Sequence, residues 1–296
     1  MVAGGPRTEL LVITGTTASG KSDLALKIAK AYRGEIISAD SWTVYKGFDI
    51  GTSKPTTTQQ KAVKHHLLDV RQPTDGFNAP MFKEMSETAI KDIQKRSKLP
   101  ILTGGTGLYI DSVLYDFGFL PSVSPQERQK LNQMSLPELL EIAQLQAIDL
   151  SGIDIRNKRR VIRAIESKGR KPTKKQLRPG TLIIGLQLDP EELKRRIEQR
   201  TDRMLAAGLE EEVSGLSEKY GWDCEPMKGI GYREWQDYFA GGQDLDQTRT
   251  RIISATNNLA KRQRTWLKRS PDIQWFSSAD EAYSFAHKIL SKHVMS

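Results

Sequence analysis

The stretch that decides the fold is Gly15-Thr16-Thr17-Ala18-Ser19-Gly20-Lys21-Ser22. It matches the phosphate-loop pattern G-x-x-x-x-G-K-[ST] and lies between an apolar run at 10–14 and an amphipathic run at 23–32, which predict a strand and a helix. In such a loop the backbone N–H groups and the helix N-terminus cradle phosphate, the lysine neutralises it and the Ser/Thr hydroxyl binds Mg²⁺. We therefore predict that all eight residues form a diphosphate site, with Ser22 as the metal ligand.

The same alternation of strand and helix continues along the chain. Further strands are predicted at 35–38, 99–103 and 181–188, with a helix at about 79–96 between two of them. We predict an α/β fold, a P-loop NTPase-like parallel sheet core flanked by helices, built from residues 1–120 and 179–296. The polar, basic and proline-bracketed segment 121–178 is predicted to be a helical insertion domain, and further helices are expected at 190–207, 210–220 and 247–268.

A phosphate loop does not by itself identify a reaction. The strand at 99–103 runs into Gly104-Gly105-Thr106, where an NTPase often carries the aspartate that orients its metal, so ATP hydrolysis is disfavoured. Asp40, after the strand at 35–38, is the best placed carboxylate. It could act as a general base, or it could cap a helix that follows Ser41, and the residues alone leave both roles open.

The formal net charge of +9 is concentrated in two segments. Residues 156–178 contain eleven Lys and Arg and one acid, and residues 249–269 contain seven Lys and Arg and no acid, so the rest of the chain is acidic. This distribution indicates either a surface that meets a polyanion or two solvated helix faces.

The remaining composition restricts the class of protein. The lone Cys224 allows neither an internal disulfide nor a Cys-based zinc site, and no apolar run approaches the ~20 residues of a membrane span. Because the N-terminus carries no recognisable signal, we expect a cytoplasmic chain without membrane association. For the adjacent His65-His66 we favour a structural role over metal binding, because neighbouring side chains point to different sides.

In this order and spacing, several stretches resemble the bacterial tRNA dimethylallyltransferase family, also called IPP transferases (tRNA delta(2)-isopentenylpyrophosphate transferases). The likeness extends to about residue 268. The matching stretches are 15–22, Ile37-Ser38-Ala39-Asp40-Ser41, 44–55, 65–70, Gly104-Gly105-Thr106-Gly107-Leu108-Tyr109, 159–164, Gly229-Ile230-Gly231-Tyr232-Arg233-Glu234 and Lys261-Arg262-Gln263-Arg264-Thr265-Trp266-Leu267.

The resemblance implies transfer of a dimethylallyl group from dimethylallyl diphosphate to the exocyclic N6 amine of the adenosine 3′-adjacent to a tRNA anticodon, with release of diphosphate. It implies Mg²⁺ as cofactor, and tRNA and the prenyl diphosphate as partners. It also implies that Asp40 removes the amine proton, that Thr106 hydrogen-bonds nearby and that Lys21 neutralises the diphosphate. Arg200 resembles the family's diphosphate-side arginine, although its helix neighbour Arg203 could serve instead. We expect a monomer.

Further residues match the family's tRNA contacts, and the target base would have to be flipped into the enzyme. They are Asp40, Ser41, Trp42, Thr43, Thr106, Arg128, Arg159, Arg160, Arg163, Gly231, Tyr232, Arg233, Lys261, Arg262, Arg264, Trp266 and Lys268. Trp266 and Tyr232 could stack on bases or pack in the core, Arg128 could lie on an ordinary charged helix face, and Gly231 is expected in a turn.

The chain departs from the family pattern at Thr16, where Pro is usual, at Ser22, where Thr is usual, and at Thr43, where Gln is common. Segment 155–158 is more basic than the usual Pro-Asn-Asp, and the zinc finger of eukaryotic relatives is lacking, so a bacterial form is expected. Three alternatives remain: a prenyltransferase acting on free AMP, ADP or ATP, a small-molecule kinase whose lid is the 156–178 segment, and an RNA-binding protein with an inactive phosphate loop.

Overall fold

The computed structural model describes residues 8–121 and 123–291. The described chain divides into two compact units, one formed by 8–114 and 177–291, the other by 115–176. The insertion was predicted to start at residue 121, six residues after the smaller unit begins at Tyr115. The reason is that the segment after Leu114 belongs to the smaller unit, where Gly118 forms an antiparallel bridge with Thr173 and the Lys175 N–H donates to the Tyr115 carbonyl (2.8 Å).

The larger unit contains a six-stranded sheet in the order β3-β2-β4-β1-β5-β6, with every neighbouring pair parallel. The strands are β1 Leu10–Gly15, β2 Glu35–Ala39, β3 His65–His66, β4 Pro100–Gly104, β5 Thr181–Leu186 and β6 Gln274–Phe276. Since the carboxyl ends of parallel strands share one edge, the segments that follow β1, β2 and β4 lie side by side there. These are the phosphate loop, Asp40 and the Gly104–Thr106 loop.

The helices of the described chain are α1 Lys21–Ala31, α2 Thr57–Ala62, α3 Ala79–Lys95, α4 Gly107–Leu114, α5 Pro125–Gln133, α6 Leu136–Leu145, α7 Lys158–Glu166, α8 Pro190–Ala206, α9 Leu209–Tyr220, α10 Gln236–Phe239, α11 Leu245–Leu267 and α12 Ala279–Leu290. Helices α5, α6 and α7 form the smaller unit around Leu139, Val161 and Ile162. Within the described ranges, no helix combines the length and apolar character needed to span a membrane.

Every residue of β1 is buried, as expected for the central strand of a sheet covered on both faces. One apolar cluster joins β1 and β4 to α1 and α12 through residues such as Leu11, Ile28 and Ala286. A second cluster packs the loop after β2 against α8, α9 and the turn around Tyr232. These two clusters fix the backbone on which the loops at the carboxyl edge are held.

The histidine pair forms β3 at the edge of the sheet. His66 Nε2 lies 2.7 Å from Glu35 Oε2, and Glu35 also binds the Arg96 guanidinium and Lys98 Nζ (2.7 Å). The Arg96 hydrogen bond, followed by those from Lys98 and His66, outweighs the opposing effect of burial and holds the pKa of Glu35 far below its usual range. His66 therefore has a structural partner in Glu35, the first residue of β2.

Candidate active site

The phosphate loop connects β1 to α1 by a tight backbone turn. Gly20 has φ +90°, in the left-handed region that favours glycine, and α1 begins at the next residue. A Cβ on Gly15 would lie 2.7 Å from the Leu186 carbonyl oxygen, so only glycine fits beside β5. In the part of the chain that the structure describes, the buried hydroxyls of Thr16 and Ser19 have no hydrogen-bond partner, which is typical of a place for ligand or water oxygens.

Lys21 folds back over this loop, where its Nζ donates to the Thr16 carbonyl at 3.1 Å. Burial lowers the pKa of Lys21 to about 8, the nearby Arg200 cation lowers it too, and the Asp40 carboxylate acts in the opposite direction. The three predicted catalytic side chains Lys21, Arg200 and Asp40 therefore interact electrostatically in one site, although they come from α1, α8 and the end of β2.

Arg200, rather than Arg203, faces the phosphate loop. Its Nη1 donates to Thr17 Oγ1 at 2.8 Å and its Nη2 donates to the Thr52 carbonyl at 3.4 Å. Burial lowers the pKa of the Arg200 guanidinium, whereas the Asp40 carboxylate raises it. Arg203 is exposed and donates to the Gln199 carbonyl of its own helix (3.2 Å). The structure thus distinguishes Arg200, which the sequence favoured, from Arg203, which the sequence had kept as an alternative.

Asp40 does not cap a helix, so that alternative is wrong. Residues 41–47 form bends and turns, and Asp40 Oδ1 accepts from the Trp42 N–H at 2.8 Å. The Thr106 N–H donates to the Ala39 carbonyl at 3.3 Å, which ties the loop after β4 to the residue preceding Asp40. Asp40 is half-buried and interacts electrostatically with both Lys21 and Arg200.

Two residues missed by the sequence analysis organise this site. Gln263 of α11 accepts from the Thr17 N–H through Oε1 (2.8 Å) and donates to the Gly105 carbonyl through Nε2 (3.1 Å). The Glu212 carboxylate on α9 accepts from the Ile50 N–H (2.8 Å) and two neighbouring N–H groups, which holds the turn that leads to Thr52. A signal for Gln263 existed, since it lies on the buried stripe of α11.

Several predicted tRNA contacts have structural roles instead. Tyr232 is 1% exposed and its hydroxyl donates to Glu212 Oε1 (2.7 Å), so its assignment as a stacking residue is wrong. Thr43 is buried with its hydroxyl 3.0 Å from that of Ser38, which removes it from the surface. Gly231 occupies a turn with φ +93°, as expected, and its N–H donates to Glu234, which also pairs with Arg233.

For Trp266 the packing alternative is correct. Its Nε1 donates to Asp111 Oδ2 at 2.9 Å, and a Cβ on Gly107 would lie only 2.1 Å from the indole ring. The indole therefore seats α11 against the first turn of α4, directly after Thr106. Trp42, in contrast, stays half-buried, with its ring against Gly229.

Two arginines of the smaller unit are also structural. Arg128 Nη1 lies 2.5 Å and Arg163 Nη1 3.2 Å from the carboxylate of Glu166, whose side chain is 1% exposed. Arg163 also donates to the Leu120 carbonyl at 2.6 Å. Both arginines therefore compensate a buried negative charge, and because their side chains are 37% and 38% exposed, their assignment as tRNA contacts stays a prediction. The other basic candidates on helices remain half-exposed or exposed: Arg159, Arg160, Lys261, Arg262, Arg264 and Lys268.

The residues of the loop fit Mg²⁺ only together with a bound diphosphate. Among residues 8–121 and 123–291, no group of three or more His, Cys, Asp or Glu side chains could hold a metal. Mg²⁺, however, often keeps several waters and binds mainly through substrate phosphates. Ser22 lies exposed in the first turn of α1, where its hydroxyl could supply the protein ligand.

The parallel sheet, the phosphate loop and the carboxylate at the end of β2 define a P-loop α/β protein. The model of the family described as IPP transferase matches residues 43–270. This chain belongs to the IPP transferase family.

Relatives match almost the whole length of the chain. A tRNA dimethylallyltransferase of Anoxybacillus flavithermus is 40% identical over 92% of this chain and 91% of its own, and one of Pediococcus pentosaceus is 41% identical over 90% of each. The crystal structure of a tRNA isopentenylpyrophosphate transferase from Bacillus halodurans has a TM-score of 0.74 at 31% identity, covering 98% of this chain and 99% of its own. A eukaryotic dimethylallyltransferase acting on tRNA has a TM-score of 0.80 at 25% identity, covering 97% and 79%.

Proposed function

We propose that this protein transfers the dimethylallyl group of dimethylallyl diphosphate to the N6 amine of the adenosine 3′-adjacent to a tRNA anticodon. The observation that carries the proposal is the joint presence of Lys21, Arg200 and Asp40 at the phosphate loop, two cations for a diphosphate and one base for an amine. The relatives named tRNA dimethylallyltransferase support the choice of donor and acceptor. The protein would act as a monomer in the cytoplasm.

On the donor side, the allylic C–O bond breaks while negative charge grows on the leaving diphosphate. The loop N–H groups, Lys21 and Arg200 are preorganised to stabilise that charge, which lowers the barrier because they interact more strongly with the leaving group than with the intact donor. Ser22 would hold Mg²⁺ against the diphosphate, where the ion supplies further charge stabilisation.

On the acceptor side, the N6 nitrogen forms a new bond to the allylic carbon and loses one proton. Asp40 accepts that proton, and the diphosphate leaves with the electron pair of the broken C–O bond. Because Asp40 Oδ1 is engaged by the Trp42 N–H, Oδ2 is the natural acceptor for the proton. Thr106, whose N–H donates to the carbonyl of Ala39 at the end of β2, would hydrogen-bond the adenine at the same edge.

The exposed basic side of α11 supplies the RNA-binding surface in this proposal. Lys261, Arg262 and Lys268 are exposed, and no acid is present between residues 249 and 269. Such a surface binds phosphates through charge, while the target base must leave its stack to reach Asp40. On the smaller unit, the exposed Arg159 and Arg160 of α7 are separate candidates for contacts to RNA phosphates.

The test incubates the purified protein and Mg²⁺ with radiolabelled dimethylallyl diphosphate and either an anticodon stem-loop with adenosine 3′ to the anticodon or free AMP. Label on the RNA alone is the expected result. Label on AMP would identify a free-nucleotide prenyltransferase. Label on neither, together with phosphate transfer from labelled ATP, would identify a kinase.

A matched pair of variants on α8 tests the site itself. Arg200→Gln should lower kcat/KM for the donor by about 100-fold, the scale of losing one charge-stabilising donor. Arg203→Gln, one turn further along the same helix, should stay within about threefold, since exposed charges contribute little. Equal losses in the two variants would contradict the assignment of Arg200.

A further inference from the structure

Gln263 occupies an unusual position for an amide side chain. On α11 it lies three residues after Ala260 and four before Leu267, which are 3% and 4% exposed, so it belongs to the face that packs on the sheet. A polar group on such a face needs partners, and the Gln263 amide has one at each end: the Thr17 N–H at 2.8 Å and the Gly105 carbonyl at 3.1 Å.

The backbone at Gly105 is shaped to admit this amide. A Cβ on Gly105 would lie 2.3 Å from Gln263 Nε2, closer than Cβ atoms approach, and 3.1 Å from its Cδ, which is a tight contact. Any other residue at 105 would therefore displace the Gln263 side chain. Position 105 thus requires glycine because the Gln263 side chain of α11 lies so close to its backbone.

The two loops joined by Gln263 carry different parts of the reaction. Thr17 belongs to the phosphate loop, and its hydroxyl accepts from Arg200 (2.8 Å). Gly105 precedes Thr106, whose N–H donates to the Ala39 carbonyl beside Asp40. One side-chain amide therefore connects the donor side of the site to the acceptor side.

We infer that Gln263 is a positioning residue that sets the spacing between the phosphate loop and the Gly104–Thr106 loop, and with it the approach of the amine to the allylic carbon. The inference rests on the proposed transfer reaction. Gln263 lies between the basic residues Arg262 and Arg264, so the helix proposed to bind RNA on its outer side also fixes both loops on its inner side. A misplacement of about 1 Å between reacting groups can slow a reaction about 100-fold without weakening the binding of either substrate.

The decisive variant is Gln263→Met, which keeps the length of the side chain and removes both hydrogen bonds. Single-turnover transfer with saturating donor and stem-loop should slow by about 100-fold, the cost of such a misplacement. The Kd for dimethylallyl diphosphate without RNA should stay within about threefold, because the Thr17 N–H becomes available to the diphosphate. Gln94→Met is the control, since the Gln94 amide also bridges segments, to the Glu9 carbonyl (3.0 Å) before β1, away from the phosphate loop.

Gly105→Ala provides an independent test, because it leaves Gln263 in the chain but forces its amide out of place. We expect the same division between rate and affinity, and the double variant should be no slower than the slower single variant. Thermal unfolding shows which variants are folded. If either Gln263→Met or Gly105→Ala is folded, its transfer rate and its donor affinity test the inference.

The inference would be overturned if a folded single variant transferred the dimethylallyl group at a rate within tenfold of the wild type. It would also be overturned if the transfer rate and the affinity for dimethylallyl diphosphate fell by the same factor. Wild-type protein that labels no RNA would refute the proposed function itself, a result distinct from either of these.

Discussion

Above pH 8 this protein should bind dimethylallyl diphosphate progressively more weakly, because Lys21 loses its proton. The Lys21 ammonium is buried over the phosphate loop and lies near the Arg200 cation, so its pKa is lowered to about 8 rather than lying near 10.5. Since the unprotonated amine carries no charge to neutralise the diphosphate, the protonated fraction of the free protein controls donor capture.

The expected magnitude follows from that pKa. The protonated fraction of Lys21 is about nine-tenths at pH 7, one half at pH 8 and one-tenth at pH 9, so kcat/KM for the donor should fall about fivefold between pH 8 and pH 9 and about tenfold per pH unit beyond that. A bound diphosphate favours the ammonium form and raises the Lys21 pKa, so kcat at saturating donor should change much less. Binding must then take up a proton, about 0.1 per site at pH 7 and about 0.9 at pH 9.

Two assays measure these quantities. Initial rates with limiting donor between pH 6.5 and 9.5 give the inflection in kcat/KM, and calorimetry of donor binding in buffers of different ionisation enthalpy gives the proton uptake. Two variants test the direction in which neighbouring charges move the inflection of kcat/KM. Arg200→Gln removes a like charge and should move the inflection to higher pH, whereas Asp40→Asn removes an opposite charge and should move it to lower pH.

A pH-independent kcat/KM between 7 and 9.5 would refute this reasoning, as would proton uptake that does not increase with pH. Movement of the inflection in the same direction by both variants would also refute it. The Arg203→Gln protein serves as the control for a charge change on α8 outside the loop.

Three further predictions concern other parts of the molecule. Asp40→Asn keeps the hydrogen bond from the Trp42 N–H but removes the base, so single-turnover transfer should slow at least ~100-fold while tRNA affinity is retained; near-normal transfer would exclude Asp40 as the base. Glu35→Gln should lower the free energy of unfolding by about 3 kcal/mol at pH 7, as for breaking a buried ion pair. Denaturant titration should show this loss shrinking as the pH falls below about 4.5, because there the carboxyl of the unfolded wild type binds a proton that the folded carboxyl does not. Equal losses at pH 7 and pH 3 would contradict that account. Changing Lys261 and Arg262 to Gln should reduce the slope of log K against log salt for stem-loop binding by about two, one per phosphate contact, and an unchanged slope would place the RNA elsewhere.

Most of the fold near the site could be predicted because a local motif constrains it. The phosphate loop requires a strand before it and a helix after it, and β1 and α1 are found there. Strands β3 and β6 were missed because two and three residues show no periodicity. Helix α12 had a usable signal, a serine N-cap followed by apolar residues spaced four apart at Ala282, Ala286 and Leu290.

The arginines show where charge counting alone fails. The sequence marked Arg163 as an RNA contact because it lies in a basic segment, and Arg128 because it matches a family contact, but Glu166, the single acid of that segment, is buried and binds both. A lone acid among eleven bases is itself a signal, because a buried carboxylate needs cations around it. No comparable sequence signal distinguishes the loop-facing Arg200 from Arg203, since the two differ only in their burial in the structure.

The charges at the phosphate loop restrict what it can bind. Lys21 and Arg200 both have a lowered pKa, with burial as the largest cause, and they share one nearby carboxylate, Asp40. Two half-buried cations opposite one anion leave positive charge uncompensated, which is unfavourable in a partly desolvated site. A neutral ligand would leave this cost in place, and a ligand with a single negative charge would only neutralise the net positive charge. A diphosphate compensates both cations, so Asp40 remains free to accept a proton. The loop is thus electrostatically suited to a diphosphate, and burial, together with the Arg200 cation, lowers the Lys21 pKa to about 8, within the range where it can be measured.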